Sequence, residues 1–208
     1  YGAQIHLVDG SREDVTQAAI TYCTKRDLIY ASHTLSPYFL EGLKSFAYEA
    51  TREIRIRHID HVVMPVGNGS LFVGAWKGFE EFAFASPQFH CIQSEAFMPI
   101  TAAYNNHDWT PEPGAGTVAG GISVASPPRK QQILKVVQAS NGTALAVNDE
   151  ETIRWQKLLA TEEGLFVEST SATAFAGLEK LVRSGIVQST DIVLVPLTGN
   201  GLKDSSLH

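Results

Sequence analysis

The fold is decided by the stretch VVMPVGNGSLFVGAWKGF, which occupies residues 62–79. A run of β-forming residues breaks at Gly67-Asn68-Gly69-Ser70, and apolar residues then recur at helical spacing. The N–H groups at the start of a helix have no intrahelical partner and, together with the helix dipole, bind anions. Glycines let a backbone approach an anion closely. The turn is therefore either a strand-to-helix connection that needs small residues or a cradle for an anion.

The glycine spacing narrows the choice of anion. Gly67 and Gly69 fit the start of the dinucleotide fingerprint GxGxxG, but the next glycine is Gly74, which is too late. The turn also lacks the Gly-Lys-Ser/Thr ending of a nucleotide P-loop. A monophosphate remains as the candidate anion.

The rest of the chain alternates short apolar runs with amphipathic segments, which indicates repeated βαβ units. We predict strands at residues 4–8, 28–32, 61–66, 89–93, 143–147 and 191–197. We predict helices at residues 13–24, 37–56, 71–84, 95–105, 129–138, 149–163 and 170–183, with a long loop at 107–128. The fold class is accordingly α/β, with three αβα layers around a mainly parallel sheet.

Helical spacing also predicts which faces are buried. In the helix at 37–56 the predicted buried residues are Leu40, Leu43, Phe46, Ala47 and Ala50. In the helix at 170–183 they are Ala172, Phe175, Leu178, Leu181 and Val182. Asn148 or Asp149 is expected to cap the helix at 149–163.

The composition excludes several classes of protein. The 208 residues are 44% hydrophobic and carry a formal net charge of −6, which favours a globular core over a phosphate-tracking nucleic-acid surface. No apolar segment approaches the roughly 18 residues of a membrane span. Cys23 and Cys91 are far apart, which favours buried thiols in a reducing compartment. We expect a cytoplasmic protein with no nucleic-acid or membrane partner.

No metal site is expected. His58, His61 and His107 do not stand at helical i, i+4 spacing with a carboxylate, so solvated or core-edge histidines are favoured over metal ligands.

A second glycine-rich turn follows the last predicted strand, in the stretch DIVLVPLTGNGLKD at residues 191–204. Ligands of open α/β sheets collect beyond the carboxyl ends of the strands, and both turns are predicted to lie at such ends. The hydroxyl of Thr198 can donate and accept, which suits a heteroaromatic nitrogen. The alternative is that Thr198 only satisfies the backbone of its own turn.

Five stretches of the chain then carry a resemblance to a known family. They are SPYFLEGLKSFAYEA, VVMPVGNGSLFVGAWKGF, VAGGISVASPPRKQQIL, VESTSATAFAGLEKL and LVPLTGNGLKD. Together, in this order and over nearly the whole chain, they resemble the threonine synthase branch of the fold type II pyridoxal-phosphate enzymes. The resemblance implies the large domain of that fold, pyridoxal 5'-phosphate as cofactor and a small amino acid as substrate.

The resemblance also implies roles for individual residues. In such enzymes the first turn holds the cofactor phosphate, and the matching residues here are Gly67, Asn68, Gly69, Ser70 and Leu71. The threonine of the second turn hydrogen-bonds the pyridine nitrogen, which corresponds to Thr198. A hydroxyl partner leaves that nitrogen largely unprotonated, which moderates the ring as an electron sink. Glu168 receives little weight, because a carboxylate at a helix start is explained by the helix dipole.

One departure concerns the lysine that forms a Schiff base with the cofactor. The family carries it in an early Ser-x-Lys-Asp-Arg type segment, and no lysine of this sequence lies in such a context. We therefore identify no catalytic residue and expect the lysine in a segment before Tyr1. By the same correspondence, residues 1–30 are the tail of the small domain and residues 31–208 the large cofactor-binding domain.

The implied reaction is that of a lyase converting O-phosphohomoserine and water to threonine and phosphate in the intact protein. We expect this chain alone to bind the cofactor weakly and to be inactive. Relatives such as cysteate synthase and threonine dehydratase are alternatives, as is a non-catalytic anion-binding or interaction module derived from the fold. Family members are commonly dimers, so a homodimer is expected.

Overall fold

The computed structural model describes residues 1–10, 12–53, 58–82 and 86–204, and these residues include one sheet of four parallel strands. The chain divides into two units, Tyr1–Ser36 and Pro37–His208. The predicted domain boundary after residue 30 lies inside the first unit. The assignment of the two parts to a small and a large domain stays a prediction.

The first unit consists of one helix and extended segments. Helix α1 is Arg12–Lys25. The Arg26 guanidinium lies 3.9 Å from the centre of the Tyr22 ring, which also contacts His6. The predicted strands at 4–8 and 28–32 are wrong: no described residue of this unit is in a strand. Ile5 and Leu7 are exposed, and no described strand of this unit pairs with their segment, so alternation with polar residues alone does not make a strand.

The second unit contains the sheet and seven further helices among its described residues. The strands are β1 His61–Pro65, β2 Gln88–Ser94, β3 Ala144–Val147 and β4 Val193–Leu194. The helices are α2 Pro37–Leu43, α3 Ser45–Glu53, α4 Ser70–Phe82, α5 Pro99–Tyr104, α6 Lys130–Ala139, α7 Asp149–Glu162 and α8 Ser169–Arg183. A short 3-10 helix, Gly120–Ile122, interrupts the predicted long loop.

The sheet order is β3-β2-β1-β4, and every pair is parallel. Side chains alternate across it, so Val62 and Met64 face one hydrophobic cluster and Val63 faces another. The first cluster includes Phe72 and Ile133 from α4 and α6, and the second joins strand residues to Ala174, Ala176 and Leu181 of α8. This confirms the predicted three-layer α/β fold.

Several predicted elements are shorter than expected. The predicted helix at 37–56 is two helices, which separate at Lys44 just after the poor helix former Gly42; residues 54–57 lie outside the described residues. The predicted helix at 95–105 begins only at Pro99, where a missing N–H is tolerated. The predicted strand at 191–197 pairs with β1 only at Val193 and Leu194, because Pro196 cannot donate to a ladder.

The predicted buried faces are confirmed in part. Leu40, Ala47, Ala172 and Leu181 are buried, whereas Val182 is exposed and that prediction is wrong. The other predicted residues are only half-buried, namely Leu43, Phe46, Ala50, Phe175 and Leu178. The predicted cap of α7 is Asn148.

Within the part of the chain that the structure describes, no helix combines the length and apolar character needed to cross a bilayer.

Candidate functional site

The winding of the sheet reverses at β1. From β1 the chain adds β2 and then β3 on one side, and β4 is placed on the other side of β1. In open α/β sheets, the crevice beyond the carboxyl ends of two such strands is where ligands bind. The turn 67–70 follows β1 and the turn 198–201 follows β4, so the two predicted turns lie at this crevice.

The two glycines of the first turn are explained by packing and backbone geometry. Gly69 has φ +79°, and a Cβ there would overlap the side chain of Ile133. A Cβ on Gly67 would lie 3.1 Å from the Cα of Ile122. These glycines fix the turn against its neighbours, so they do not by themselves indicate an anion.

Ser70 gives the stronger signal. It is the first residue of α4, and its Oγ is buried without a hydrogen-bond partner among the described residues. The first backbone bond of the helix runs from the N–H of Val73 to the carbonyl of Gly69, which leaves the preceding N–H groups pointing out of the helix start. No acidic residue stands in the first turn of α4. The helix start therefore has donors and no resident anion.

The backbone leading into this turn is held by β2. The N–H of Val66 donates to the carbonyl of Ile92 at 2.8 Å, and the amide of Gln93 donates to the carbonyl of Val66 at 3.2 Å. The other end of the Gln93 amide accepts the N–H groups of Ile100 and Thr101 at 2.9 and 3.0 Å. Gln93 is fully buried, so it fixes the entry to the turn and the start of α5 together.

The second turn is attached to the start of α8. Thr198 is exposed, and its Oγ1 lies 3.0 Å from the Oγ of Ser171 and 3.5 Å from a carboxylate oxygen of Glu168. The N–H of Gly199 donates to the Oγ of Ser171 at 3.1 Å, and the N–H of Glu168 donates to the carbonyl of Gly199 at 3.0 Å. Among the described hydrogen bonds none joins the Thr198 hydroxyl to its own turn, so the turn-backbone interpretation of Thr198 has no support.

A continuous set of contacts joins the two turns. Gly67 packs on the 3-10 helix. A Cβ added to Gly67 would lie 3.2 Å from the carbonyl oxygen of Gly121. The N–H of Gly121 donates to the hydroxyl of Thr170 at 3.0 Å. Thr170 precedes Ser171, which contacts Thr198. The segment 120–122 and the start of α8 thus bridge the two turns.

A cavity of about 580 Å³ adjoins this bridge. Its polar lining includes Asp149, Glu168, Lys203 and Asp204, together with the bridge residues Gly120, Gly121, Ser169 and Thr170. Asp149 accepts hydrogen bonds from the hydroxyl of Thr117 at 2.6 Å and the N–H of Val118 at 3.0 Å. Asp204 accepts from the N–H and hydroxyl of Ser169. Both carboxylates therefore accept hydrogen bonds from other residues of the cavity wall.

A buried pair of histidines lies between the two central strands, β1 and β2. Burial and the neighbouring His61 lower the pKa of His90 to about 4. His61 Nδ1 lies 2.9 Å from His90 Nε2, and His61 Nε2 lies 3.1 Å from a carboxylate oxygen of Asp191. Among the described residues, no group of His, Cys, Asp or Glu could hold a metal ion.

Sequence reasoning missed Ser171 and gave Glu168 little weight. Both lie at the predicted helix start, in the stretch VESTSATAF, and the run of three hydroxyl residues at 169–171 was the available signal. Hydroxyl residues at a helix start are normally explained as caps, so the sequence does not show that one of them faces the second turn. The burial of Ser171 and its contact with Thr198 required the structure.

Comparison with known proteins gives the family of the chain. The family model described as pyridoxal-phosphate dependent enzyme matches residues 1–199. The chain belongs to this family. Its members depend on pyridoxal phosphate, which confirms the predicted cofactor.

The curated relatives include threonine synthases of two archaea. The chain is 36% identical to the threonine synthase of Methanocaldococcus jannaschii and 35% identical to that of Methanosarcina acetivorans. Each match covers 98% of this chain and 52% of the relative. The chain thus spans about half the length of these relatives.

Solved structures of the same fold include enzymes with other names. The processed form of threonine deaminase isoform 2 from Solanum lycopersicum superposes with a TM-score of 0.76 at 19% identity, covering 94% of this chain and 52% of that one. Maize serine racemase superposes with a TM-score of 0.78 at 16% identity, covering 99% of this chain and 60% of that one. These likenesses confirm the fold type II architecture.

Pyridoxal phosphate fits the residues at the crevice. The buried Ser70 hydroxyl without a described partner and the helix start without an acidic residue have the donors that a phosphate needs, and the exposed Thr198 hydroxyl has the chemistry to bond a ring nitrogen.

Proposed function

We propose that this chain is the part of a threonine synthase-like lyase that holds the phosphate and the ring nitrogen of pyridoxal phosphate. The observation that carries the proposal is the pair of turns after β1 and β4, where the winding of the sheet reverses. Support for the reaction comes from relatives named threonine synthase that are 30–36% identical over nearly the whole chain. The whole protein would convert O-phosphohomoserine and water to threonine and phosphate.

Each part of the crevice has one task in this proposal. The N–H groups at the start of α4 and the hydroxyl of Ser70 bind the phosphate, which anchors the cofactor at one end. The hydroxyl of Thr198 donates a hydrogen bond to the ring nitrogen and keeps it largely unprotonated. When bound, pyridoxal phosphate withdraws electrons from an amino-acid substrate. The lysine to which the cofactor is attached is assigned to a part of the protein other than this chain.

Cofactor binding tests the first half of the proposal. Titrating pyridoxal phosphate into the chain, followed by its absorbance, should give weak saturable binding. Replacing the ring-nitrogen partner in Thr198→Val should weaken binding by about fivefold to tenfold, the effect of one lost hydrogen bond. Thr190→Val is the matched control, because Thr190 is exposed at the opposite end of the same segment. If both variants bound pyridoxal phosphate with equal affinity, Thr198 would not be part of the binding site.

The reaction is tested by product release. The chain alone should release no phosphate from O-phosphohomoserine, and robust turnover by it would contradict the division of tasks. The protein expressed from the complete gene should release phosphate from this substrate. Release of ammonia from threonine without phosphate release would replace the proposed reaction by that of threonine dehydratase. If the complete protein bound no cofactor, the alternative of a non-catalytic anion-binding or interaction module would replace the proposed function.

A further inference from the structure

The Thr198 hydroxyl can act on a ring nitrogen in two opposite ways. It donates its proton to an unprotonated nitrogen, or its oxygen accepts the proton of a protonated one. The choice decides how strongly the ring withdraws electrons. Two neighbours of Thr198 bear on this choice, Ser171 at 3.0 Å and Glu168 at 3.5 Å.

The direction of the Ser171 hydroxyl follows from its partners. Ser171 is fully buried, and its described partners are the N–H of Gly199 at 3.1 Å and the Oγ1 of Thr198. An amide N–H only donates, so the Ser171 oxygen accepts from Gly199. If Thr198 also donated to Ser171, the buried Ser171 proton would have no described acceptor. A buried donor without a partner is costly, so Ser171 donates to Thr198.

This arrangement leaves the Thr198 proton available for a ligand. The oxygen of Thr198 already accepts from Ser171, and the alternative acceptor Glu168 is 3.5 Å away, beyond the usual range for an O–H···O bond. The turn is held in place independently, since the N–H of Gly201 donates to the carbonyl of Phe166 at 3.0 Å and that of Glu168 donates to the carbonyl of Gly199.

We propose that Ser171 is a positioning residue that directs the Thr198 proton toward the pyridine nitrogen and so keeps that nitrogen unprotonated. The proposal rests on the proposed function, because it takes pyridoxal phosphate as the ligand of Thr198. The bond from Ser171 fills one of the two acceptor sites of the Thr198 oxygen and polarises its hydroxyl, which strengthens the bond that Thr198 donates. Without the Ser171 hydroxyl, the Thr198 oxygen accepts more readily from a protonated ring while its own proton turns to Glu168. The protonated ring is then stabilised, and the pH at which the ring nitrogen titrates rises.

The test uses the protein expressed from the complete gene, loaded with pyridoxal phosphate carrying ¹⁵N in the ring. The ¹⁵N chemical shift is followed against pH in the wild type, in Ser171→Ala and in Thr173→Val. Thr173 is the matched control, because its hydroxyl is buried on the same helix and donates to the carbonyl of Ser169. Ser171→Ala should raise the titration midpoint of the ring nitrogen by roughly one pH unit, the size of one hydrogen bond. Thr173→Val should leave it unchanged.

Two further measurements keep the outcomes distinct. Adding Glu168→Gln to Ser171→Ala should bring the midpoint back toward the wild type, because the charged acceptor is removed. Hydrogen exchange of the Gly199 amide should accelerate in Ser171→Ala even without cofactor. If Ser171→Ala does not fold, Ser171→Cys, whose thiol is a weak donor, takes its place and should shift the midpoint in the same direction.

The results separate this inference from the function on which it rests. A wild type that binds no pyridoxal phosphate overturns the proposed function and this inference with it. A wild type that binds the cofactor, with the same ring-nitrogen midpoint in Ser171→Ala and Thr173→Val, overturns the role of Ser171 alone.

Discussion

Two helices, α7 and α4, start after strands at the same end of the sheet, and side chains satisfy the first turn of α7 but not that of α4. At the start of α7, Asn148 accepts the N–H of Glu151 at 2.8 Å, and the carboxylate of Glu151 accepts the N–H of Asn148 at 3.0 Å. Three acidic residues, Asp149, Glu150 and Glu151, stand in that first turn. At the start of α4 there is no acidic residue, and the hydroxyl of Ser70 has no described partner.

The difference separates a closed helix start from an open one. A capping box satisfies the orphan N–H groups within the chain, and the acidic residues compensate the helix dipole. The start of α4 has neither, although it lies in the same environment at the carboxyl ends of the strands. An external anion would supply what the sequence supplies to α7. Substitutions at the two helix starts should therefore have different consequences for binding and for stability.

The largest loss of cofactor affinity is expected when a negative charge is placed at the start of α4. Ser70→Asp places a carboxylate where the phosphate is proposed to bind, and two like charges in contact cost several kcal/mol. Binding of pyridoxal phosphate, measured by absorbance titration, should fall by at least about 100-fold.

Asn148→Asp is the matched control for the charge. It adds the same charge at the same edge of the sheet and keeps a residue that caps well, so cofactor affinity should stay within about twofold. Undiminished binding in Ser70→Asp, with a circular dichroism spectrum like that of the wild type, would show that α4 is not an anion site.

His90 tests whether an orphaned polar atom is enough to indicate a ligand. Its Nδ1 is also buried without a described partner, but it lies inside the sheet, beside Cys91 and bonded through His61 to Asp191. We expect it to affect stability rather than binding. Its folded pKa of about 4 is below the unfolded value near 6.5, so the unfolded chain takes up the proton first as pH falls.

The resulting stability change has a definite pH window. Stability should be complete above about pH 6.5 and fall by roughly 3 kcal/mol on going to pH 4, as measured by denaturant unfolding. His90→Gln, whose amide can still hydrogen-bond the His61 ring, should remove most of this dependence, whereas the exposed His107→Gln should not. If the free energy of unfolding depended on pH equally in both variants, groups other than His90 would be responsible for the acid sensitivity.

Removing the Ser70 hydroxyl should lower the affinity for pyridoxal phosphate without lowering the free energy of unfolding. In Ser70→Ala a buried hydroxyl without a partner is lost, so the free energy of unfolding without cofactor should stay the same or rise by up to about 1 kcal/mol. Affinity for pyridoxal phosphate should fall by about tenfold, since a hydrogen bond to a charged group is lost. A loss of stability of the cofactor-free chain would mean that Ser70 has a structural role instead.

The sequence was sufficient for features that depend on local pattern. The order of the strands β1 to β4 and their connecting helices follows from apolar periodicity, and the turn 67–70 follows from its small residues. Patterns that need a partner were not reliable. Residues 4–8 alternate like a strand, yet Ile5 and Leu7 are exposed and unpaired with any described strand. Val182 fits the helical spacing of α8, but it is exposed, because spacing alone does not show how far a neighbouring layer covers a helix.

The site shows the same limit. The sequence proposed Thr198 and Ser70 as site residues, because both follow predicted strands and stand in stretches that resemble the family, and their roles stay predictions. It could not reveal Ser171, whose role depends on a contact with a residue 27 positions away. For the glycines it left a turn of small residues and an anion cradle as alternatives, and it could not show that Gly69 has a positive φ and packs against the side chain of Ile133. Contacts between distant segments decide these points, and periodicity carries no information on them.

The smallest predicted effect is that of Asn148→Ala, which should change stability and not binding, the reverse of Ser70→Ala. Asn148→Ala removes the side-chain half of the capping box of α7, which should lower the free energy of unfolding by about 1 kcal/mol. Affinity for pyridoxal phosphate should not change beyond about twofold, because this helix start is already satisfied within the chain and takes no part in the proposed crevice. Both quantities can be measured on the same preparation, by denaturant unfolding and absorbance titration. Ser70→Ala and Asn148→Ala should therefore move the two quantities independently, one in binding and the other in stability. If Asn148→Ala weakened cofactor binding as much as Ser70→Ala, the two helix starts would not differ in function, and the open first turn of α4 would have to be explained by packing alone.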